Sequence, residues 1–481
     1  MILRRDFLKV SGLAGLFPRV TLGEAFLDPS TVRWGGGIEP TVRLIEESPR
    51  EKLIEEMAAR VKKGLAYREA LAALFVANVR NVQPRPVGFK FHSVLAINAA
   101  HQSSLAGPDT DRWLPLFWSL DNFKGSQAEE KKKTGWTLPP VDEAKVPPAD
   151  KAKEAFVAAL DAWDVEGIDG PTVALARHFS QNEVFELYFR HGMRDFRDIG
   201  HKAIFVAGAY RLLNVIGWQH AEPILRSLSL ALQYYTGDNP ARSDQDADRP
   251  WKFNRSVVGE IPSTWRQGKV DDAATRDLLV VARTADPEAM AKKTVDVLKA
   301  GVSAKSVWDA LFPAGGEILM RRVGILSIHA MTTFNALRFI HETSVDDETR
   351  RLALLQAASF APLFRGKLDK DVKLDQVEPQ AATLDEIFAD ITKDKAAASR
   401  KVLGYLKDGG DAKALIDEAR RLIFTKGLDA HDYKFSAAIL EDAALLAPSW
   451  RDRFLAASVH HLKGSQAPDN GLVARIRDAF R

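Results

Sequence analysis

The sequence predicts an all-α protein, folded as one large single domain of stacked antiparallel helices. Apolar residues recur at the spacing of an amphipathic helix along most of the 481 residues, whereas convincing alternating strands are scarce. The composition, 46% hydrophobic and 27% charged, is that of an ordinary globular chain long enough for a sizeable core. Because no fixed sequence period is visible, the chain does not resemble a regular repeat solenoid.

The helical patterns can be followed in order. The first begins after Pro49, where Leu53, Met57 and Val61 share one face, and it ends at Pro84. The later patterns predict helices over 91–104, 151–164, 172–192, 195–216, 220–235, 271–299, 303–311, 317–342, 346–360, 384–406, 411–425, 431–446 and 449–463.

The domain organisation follows from the segments that lack this pattern. Residues 1–25 form a signal region, and residues 40–465 form the predicted catalytic domain. Charges and prolines over 125–150 predict an exposed loop or linker. The polar stretch 237–268, which contains proline, glycine and tryptophan, predicts an irregular excursion.

Composition excludes several kinds of chemistry. The chain has no cysteine, which excludes disulfides, thiol nucleophiles, iron–sulfur clusters and cysteine zinc sites. A metal would therefore need nitrogen or oxygen donors, and the sequence has 11 histidines. A net charge of +3 lacks the basic excess of a nucleic-acid binder. Charges interrupt every apolar run, so we expect no integral membrane segment.

The N-terminus resembles a twin-arginine export signal. Arg4 and Arg5 precede Asp6 and a Phe-Leu-Lys sequence, and a short apolar stretch follows. This pattern predicts export of a folded protein to the periplasm or cell envelope of a bacterium, with the twin-arginine export machinery as a partner. The apolar stretch ends early, at Pro18, and no small-x-small cleavage site follows, so an ordinary amphipathic N-terminal helix is the alternative.

The tetrapeptide that begins at His431 is the most informative. In a helix, His431 and Lys434 lie three positions apart and share a face. A buried lysine has a lowered pKa, and its neutral amine can react with CO2 to form a carbamate, an oxygen ligand for a metal. The alternative is a lysine that extends to solvent beside a helix-capping Asp429.

Three further histidines are candidate ligands. Thr332 lies on the same face as His329 and is a candidate catalytic residue, able to orient the imidazole or a bound ligand. His341 lies about 120° around the helix and should not share the site. The second candidate ligand is His92; His101 lies about 180° around the same helix and should not face the same site. The third is His201, and His220 is an alternate ligand.

Four short motifs resemble the questin oxidase-like family of helical proteins, in the same order along the chain. The resemblance spans residues 90 to 445 and implies a mononuclear non-heme Fe(II) held by several histidines and a lysine that is carbamylated in some cases. Phe205 departs from the family pattern, which often has a second histidine there. The motifs begin at His92 (His-Ser-Val-Leu-Ala), His201 (His-Lys-Ala-Ile-Phe-Val-Ala-Gly), His329 (His-Ala-Met-Thr, then Asn-Ala-Leu) and His431 (His-Asp-Tyr-Lys).

Three functional hypotheses remain open. The first is a metal-dependent oxidoreductase, an iron oxygenase that binds O2 and a small organic substrate, aromatic or anionic, near aromatic residues such as Trp118, Tyr188 and Tyr433. The second is a non-catalytic helical envelope protein, in which the candidate ligands do not converge. The third is a metal-dependent hydrolase, which would act without O2.

Overall fold

The computed structural model describes residues 37–234, 239–365 and 372–481. The predicted export signal lies outside this part of the chain. The described residues form 22 α-helices and no strand, with one isolated bridge between Lys269 and Val302. The all-α prediction and the prediction of a single large domain are therefore confirmed. No described helix is long and apolar enough to span a membrane.

The first eleven helices run as follows. They are α1 (Glu39–Glu47), α2 (Arg50–Lys62), α3 (Tyr67–Asn81), α4 (His92–Ala106), α5 (Leu114–Lys133), α6 (Ala149–Ala162), α7 (Asp169–His178), α8 (Gln181–Gly192), α9 (His201–Ile216), α10 (Ala221–Leu232) and α11 (Arg249–Val257).

The second eleven complete the fold. They are α12 (Asp272–Ala282), α13 (Pro287–Lys299), α14 (Ala304–Arg321), α15 (Ile325–Thr343), α16 (Asp347–Arg365), α17 (Leu384–Asp390), α18 (Lys395–Lys407), α19 (Ala412–Lys426), α20 (Ala430–Asp442), α21 (Pro448–Ser458) and α22 (Gly471–Phe480).

The predicted loop at 125–150 begins later than expected, because α5 continues to Lys133. Residues 134–148 form the predicted loop and are mostly exposed, whereas several polar residues of the helix before them are buried. The ammonium of buried Lys124 donates to the carbonyls of Ile45 and Glu46 at 3.1 and 3.0 Å. Glu130 is also buried and pairs with Lys90 at 3.0 Å. Polarity here marks a buried hydrogen-bonded face, which the sequence pattern alone does not distinguish from a loop.

Other boundaries differ for local reasons. The excursion at 237–268 contains α11, whose buried Asn254 donates to Gln356 at 2.7 Å. The predicted helix over 172–192 is two helices, because Ser180 and Glu183 form a capping box that starts α8. Helix α22 lies beyond the expected end of the domain at 465 and packs on α2.

The predicted break between 311 and 317 is wrong, because α14 continues through Pro313 and the two glycines that follow it. Each glycine lets another helix approach closely. A Cβ on Gly315 would lie 2.7 Å from the sulfur of Met331, and one on Gly316 would lie 2.8 Å from Ala457.

Four helices that are distant in sequence surround the candidate site. Helix α4 packs on α9 and α20, and α15 packs on the same two helices. This arrangement joins chain segments from residue 92 to residue 442 around one shared interior.

Candidate metal centre

The candidate ligands lie near the N-termini of these four helices. His92 and His201 are the first residues of α4 and α9, and His431 is the second residue of α20. His329 lies in the second turn of α15. The packing of α4, α9, α15 and α20 therefore brings early-turn side chains from four parts of the chain together.

His92, His201 and His329 meet at one point. The Nε2 atom of His201 lies 3.0 Å from Nε2 of His92 and 2.8 Å from Nε2 of His329. One ligand nitrogen from each of the three lies within 4.8 Å of the others. Two nitrogens bound at right angles to an ion at about 2.1 Å would lie about 3.0 Å apart. The spacing therefore fits ligands of a single metal ion.

The protonation of these imidazoles follows from their other nitrogens. Each Nδ1 lies against a main-chain carbonyl, which can only accept a hydrogen bond: Phe89 for His92 at 2.8 Å, Asp198 for His201 at 2.7 Å. For His329 the carbonyl is that of Ile325, at 2.7 Å. We therefore assign the proton of each neutral ring to Nδ1. Each Nε2 then presents a lone pair to the others.

The electrostatic setting keeps these rings neutral. Burial lowers the pKa of His201 and His329 well below the usual histidine value, and the nearby Lys434 amine lowers it further. The same two causes, in the same order, lower the pKa of His92 strongly. A neutral imidazole is the form that binds a metal.

His431 forms the fourth side of the cluster. Its ring centroid lies 4.5 Å from that of His92 and 5.3 Å from that of His329. Its Nδ1 lies 3.5 Å from Asp429, which also caps α20. Its Nε2 is buried and has no hydrogen-bond partner among the residues that the structure describes. His431 therefore lies beside the cluster, but it is not one of the three histidines whose ligand nitrogens converge within 4.8 Å of one another.

Lys434 is buried beside the histidines. Only 4% of the residue is exposed, and its Nζ has no hydrogen-bond partner in the described part of the chain. Burial lowers the pKa of its amine to about 7. The alternative of a lysine that extends to solvent is wrong, because the ammonium end is as buried as the stem.

Two strained turns position His92 and His201. Phe89 has a positive φ of 51°, and its carbonyl accepts a hydrogen bond from His92 Nδ1. Because Phe89 is 75% exposed, packing of its side chain does not explain this conformation. Ile199, a β-branched residue, has φ 55°, which is sterically costly. Such strain is often found at functional sites.

The turn before His201 contains residues that hold its backbone in place and that the sequence analysis missed. The Asp198 side chain accepts from the Gly200 amide at 3.0 Å, and the Thr333 hydroxyl donates to the Ile199 carbonyl at 3.2 Å. Gly200 has φ 92°. A glycine followed directly by a histidine at a helix start was the available sequence signal.

Thr332, the candidate catalytic residue, forms hydrogen bonds within its own helix. Its hydroxyl donates back to the carbonyls of Ile328 and His329, both at 3.4 Å. The His329 ring is held by Ile325 instead. Thr332 also lines a small cavity of about 30 Å³ together with Lys434, so it borders the site, and its catalytic role stays a prediction.

The other candidates lie elsewhere. His101 contacts the Tyr67 hydroxyl at 3.3 Å, and His220 ends a short 3-10 turn. Tyr188 is buried, and its hydroxyl contacts Ser229 at 2.8 Å, so it lines no site pocket.

The aromatic residues that remain near the site pack on one another. Trp118 stacks on Tyr433 with ring centroids 4.1 Å apart, and Phe205 packs against Phe91 at 5.1 Å. Trp118 also lines an open cleft of about 970 Å³ together with Phe89.

A second cleft, of about 620 Å³, is lined in part by Ser436 and Ala437 of the helix that carries Lys434. The small cavity that contains Lys434 shares four lining residues with this cleft: Gln102, Arg211, Asn335 and Ala437. The small cavity therefore adjoins the cleft, and Lys434 and Thr332 line it.

No family model matches the chain, and no curated protein or solved structure matches it either. The resemblance to questin oxidase-like proteins therefore depends on the four short motifs alone.

Proposed function

We propose that the protein is a metal-dependent oxidoreductase, a non-heme iron oxygenase that acts on a small organic substrate. The observation that carries this proposal is the meeting of three Nε2 lone pairs, from His92, His201 and His329, at one buried point. The second hypothesis, a non-catalytic helical envelope protein, predicts instead that the candidate histidines do not converge.

A cation at this point would stabilise the cluster. Three neutral imidazoles that direct lone pairs at one another repel, and their burial prevents water from screening that repulsion. A metal ion turns the same geometry into three favourable bonds. Imidazole suits iron, and the main-chain carbonyls of Phe89, Asp198 and Ile325 provide the outer hydrogen bonds that fix ligand rings.

Lys434 supplies a further donor in this proposal. Its neutral amine adds CO2 to give a carbamate anion and one proton, which creates an oxygen ligand and removes the cost of an unpaired buried amine. His431 is the fourth nitrogen donor. Together these residues hold iron, which when bound supplies a coordination position for O2 chemistry on the substrate.

Metal analysis tests the site. Protein purified with Fe(II) and bicarbonate should carry about one metal ion per chain. His329→Ala and Lys434→Ala should each reduce the metal content, whereas the matched control His101→Ala should not. The absence of bound metal in the wild-type protein, or unchanged content in both variants, would overturn the proposal.

Dependence on oxygen tests the reaction. The iron-loaded protein should consume dissolved O2 when it is given a panel of phenols and aromatic acids, and His201→Ala should not. Hydrolysis of ester substrates under nitrogen by the loaded protein, without O2 uptake in air, would instead support the metal-dependent hydrolase.

A further inference from the structure

The 620 Å³ cleft beside Lys434 combines apolar walls with unsatisfied buried polar groups. Phe339 and Leu440 form part of the wall, and Leu105 and Leu445 lie at the rim, where they are 60% and 40% exposed. Clefts of this size that mix apolar walls with a few polar groups are typical ligand sites.

Arg338 is the first of these polar groups. It is only 8% exposed, its Nε donates to Glu342 at 2.8 Å, and its guanidinium lies over the Trp308 ring. Its Nη1 atom is buried and has no hydrogen-bond partner among residues 37–234, 239–365 and 372–481. A buried guanidinium donor without a partner is costly, so a ligand acceptor there would be favoured.

Asp442 is the second unsatisfied polar group of the cleft. It is 1% exposed, and Asn335 donates to its Oδ1 at 3.0 Å, but its Oδ2 has no partner within the described residues. Burial raises the pKa of this carboxyl well above its usual value. In its protonated form this carboxyl presents a second hydrogen-bond donor at the cleft.

The charge balance of the cleft favours an anion. Three arginines line it, Arg211, Arg338 and Arg420, against Glu342, Glu441 and the buried Asp442, whose pKa burial raises. When Asp442 is protonated, three positive charges face two negative charges, which leaves an excess of one positive charge. Arg211 itself pairs with Glu441 at 2.9 Å and also lines the small cavity that Lys434 borders.

We propose that this cleft binds the substrate, and that the substrate is an organic anion: an apolar, ring-sized body with one carboxylate or phenolate group held by Arg338 and Asp442. Arg211 and Asn335 also line the small cavity that Lys434 borders, so the bound anion would lie next to the candidate metal centre. This inference depends on the proposed function for its assignment to a substrate, but the binding it predicts does not require a metal.

The test compares two probes of the same shape. Calorimetric titration of the full chain with 2-naphthoate and with the neutral 2-naphthamide is carried out after chelation and again after iron loading. We expect 2-naphthoate to bind at least about tenfold more tightly, with or without iron, since it gains charge-assisted hydrogen bonds. Equal binding of the two probes, or binding of 2-naphthoate only after iron loading, would overturn the proposal.

Variants locate the binding. Arg338→Gln should weaken the binding of 2-naphthoate by about tenfold and leave the affinity for 2-naphthamide within about twofold of the wild-type value. The exposed control Arg43→Gln should change neither affinity. If Arg338→Gln fails to fold, the rim pair Leu445→Lys and Leu445→Glu replaces it. Leu445→Lys should strengthen the binding of 2-naphthoate and Leu445→Glu should weaken it, and neither should affect 2-naphthamide. If the two variants bind 2-naphthoate equally well, the proposal is contradicted.

The metal content of each variant separates this inference from the function proposed above. Wild-type protein that binds 2-naphthoate but no metal would contradict the iron oxygenase and leave the cleft assignment supported. Protein that binds iron but neither probe would contradict the cleft assignment alone.

Discussion

Lys434 is the residue whose surroundings are hardest to explain as structural. An ordinary buried lysine has partners, as Lys124 has with the carbonyls of Ile45 and Glu46 and the side chain of Gln127. Lys434 has none within the part of the chain described by the structure, and it lies among neutral imidazoles. An unpaired buried amine destabilises the fold, and destabilising residues of this kind are common at functional positions.

Substitution of Lys434 by methionine should therefore stabilise the metal-free protein. We expect Lys434→Met to raise the free energy of unfolding by about 1–3 kcal/mol, because an unpaired polar group is replaced by an apolar one of similar length. Urea denaturation in the presence of a chelator measures this change. The matched variant Lys124→Met should destabilise, since it removes hydrogen bonds. Destabilisation by both to the same extent would show that Lys434 is a structural lysine.

His101 predicts a pH dependence that does not involve the metal. Burial lowers its pKa to about 4, so between pH 6.5 and 4 the unfolded chain binds a proton that the folded chain does not. The stability that neutral His101 contributes is present above pH 6.5 and is lost as the pH falls towards 4. Between pH 7.5 and 4.5, the free energy of unfolding of His101→Gln should therefore fall by about 2 kcal/mol less than that of the wild type.

Urea denaturation at the two pH values, with a chelator present, provides the measurement. Because all the candidate metal ligands are the same in both proteins, their titration cancels in the comparison. Parallel losses in the wild type and the variant would contradict the neutral, buried state of His101.

Helix starts are the structural elements that create the site. The Ile199–Gly200 turn begins α9 and directs His201 at the other histidines, and Thr333 of α15 is bonded to that turn. The same contact thus fixes the relative position of two helices that each carry a candidate ligand. Such a turn must keep its backbone conformation for the ligands to meet.

Two glycines near this turn give a matched pair of variants. Gly200→Ala should lower both metal content and stability, by about 1–3 kcal/mol, because Gly200 has φ 92° and an added Cβ would collide with Thr333. Gly208→Ala, on the same helix, adds a Cβ at 3.6 Å from Asn98, which is ordinary contact. It should be neutral or slightly stabilising in urea denaturation. Equal effects of the two variants would contradict the role of the turn.

The order and type of the helices could be predicted from sequence because helical periodicity is local. The breaks were less predictable. Pro313 and two glycines suggested an interruption, but close packing against Met331 and Ala457 keeps that helix continuous. The polar run before Lys133 suggested a loop, but tertiary hydrogen bonds bury its polar face. Both differences come from neighbours that are remote in the chain.

At the scale of the whole molecule, the site joins four distant segments of one domain. Sequence motifs singled out His92, His201, His329, His431 and Lys434, but helical spacing could not show that they meet. The cleft residues Arg338 and Asp442 carried no sequence signal, because an unsatisfied buried atom is visible only once its neighbours are known.

A metal that bridges these segments should stabilise the whole fold. We expect iron-loaded protein to melt at a higher temperature than chelator-treated protein, with a gain of about 2.7 kcal/mol when free metal exceeds its Kd a hundredfold. His201→Ala should melt at the same temperature with or without iron. Thermal scans of both proteins measure this, and an equal iron-dependent shift in the variant would place the metal elsewhere.

The most direct measurement is anomalous X-ray diffraction at the iron edge from crystals grown with Fe(II) and bicarbonate. The geometry predicts one strong peak per chain, about 2.1 Å from the Nε2 atoms of His92, His201 and His329, with Lys434 density extended by a carboxylate. A map with no peak at this point, or with its peak bound by other residues, would contradict the proposed metal centre.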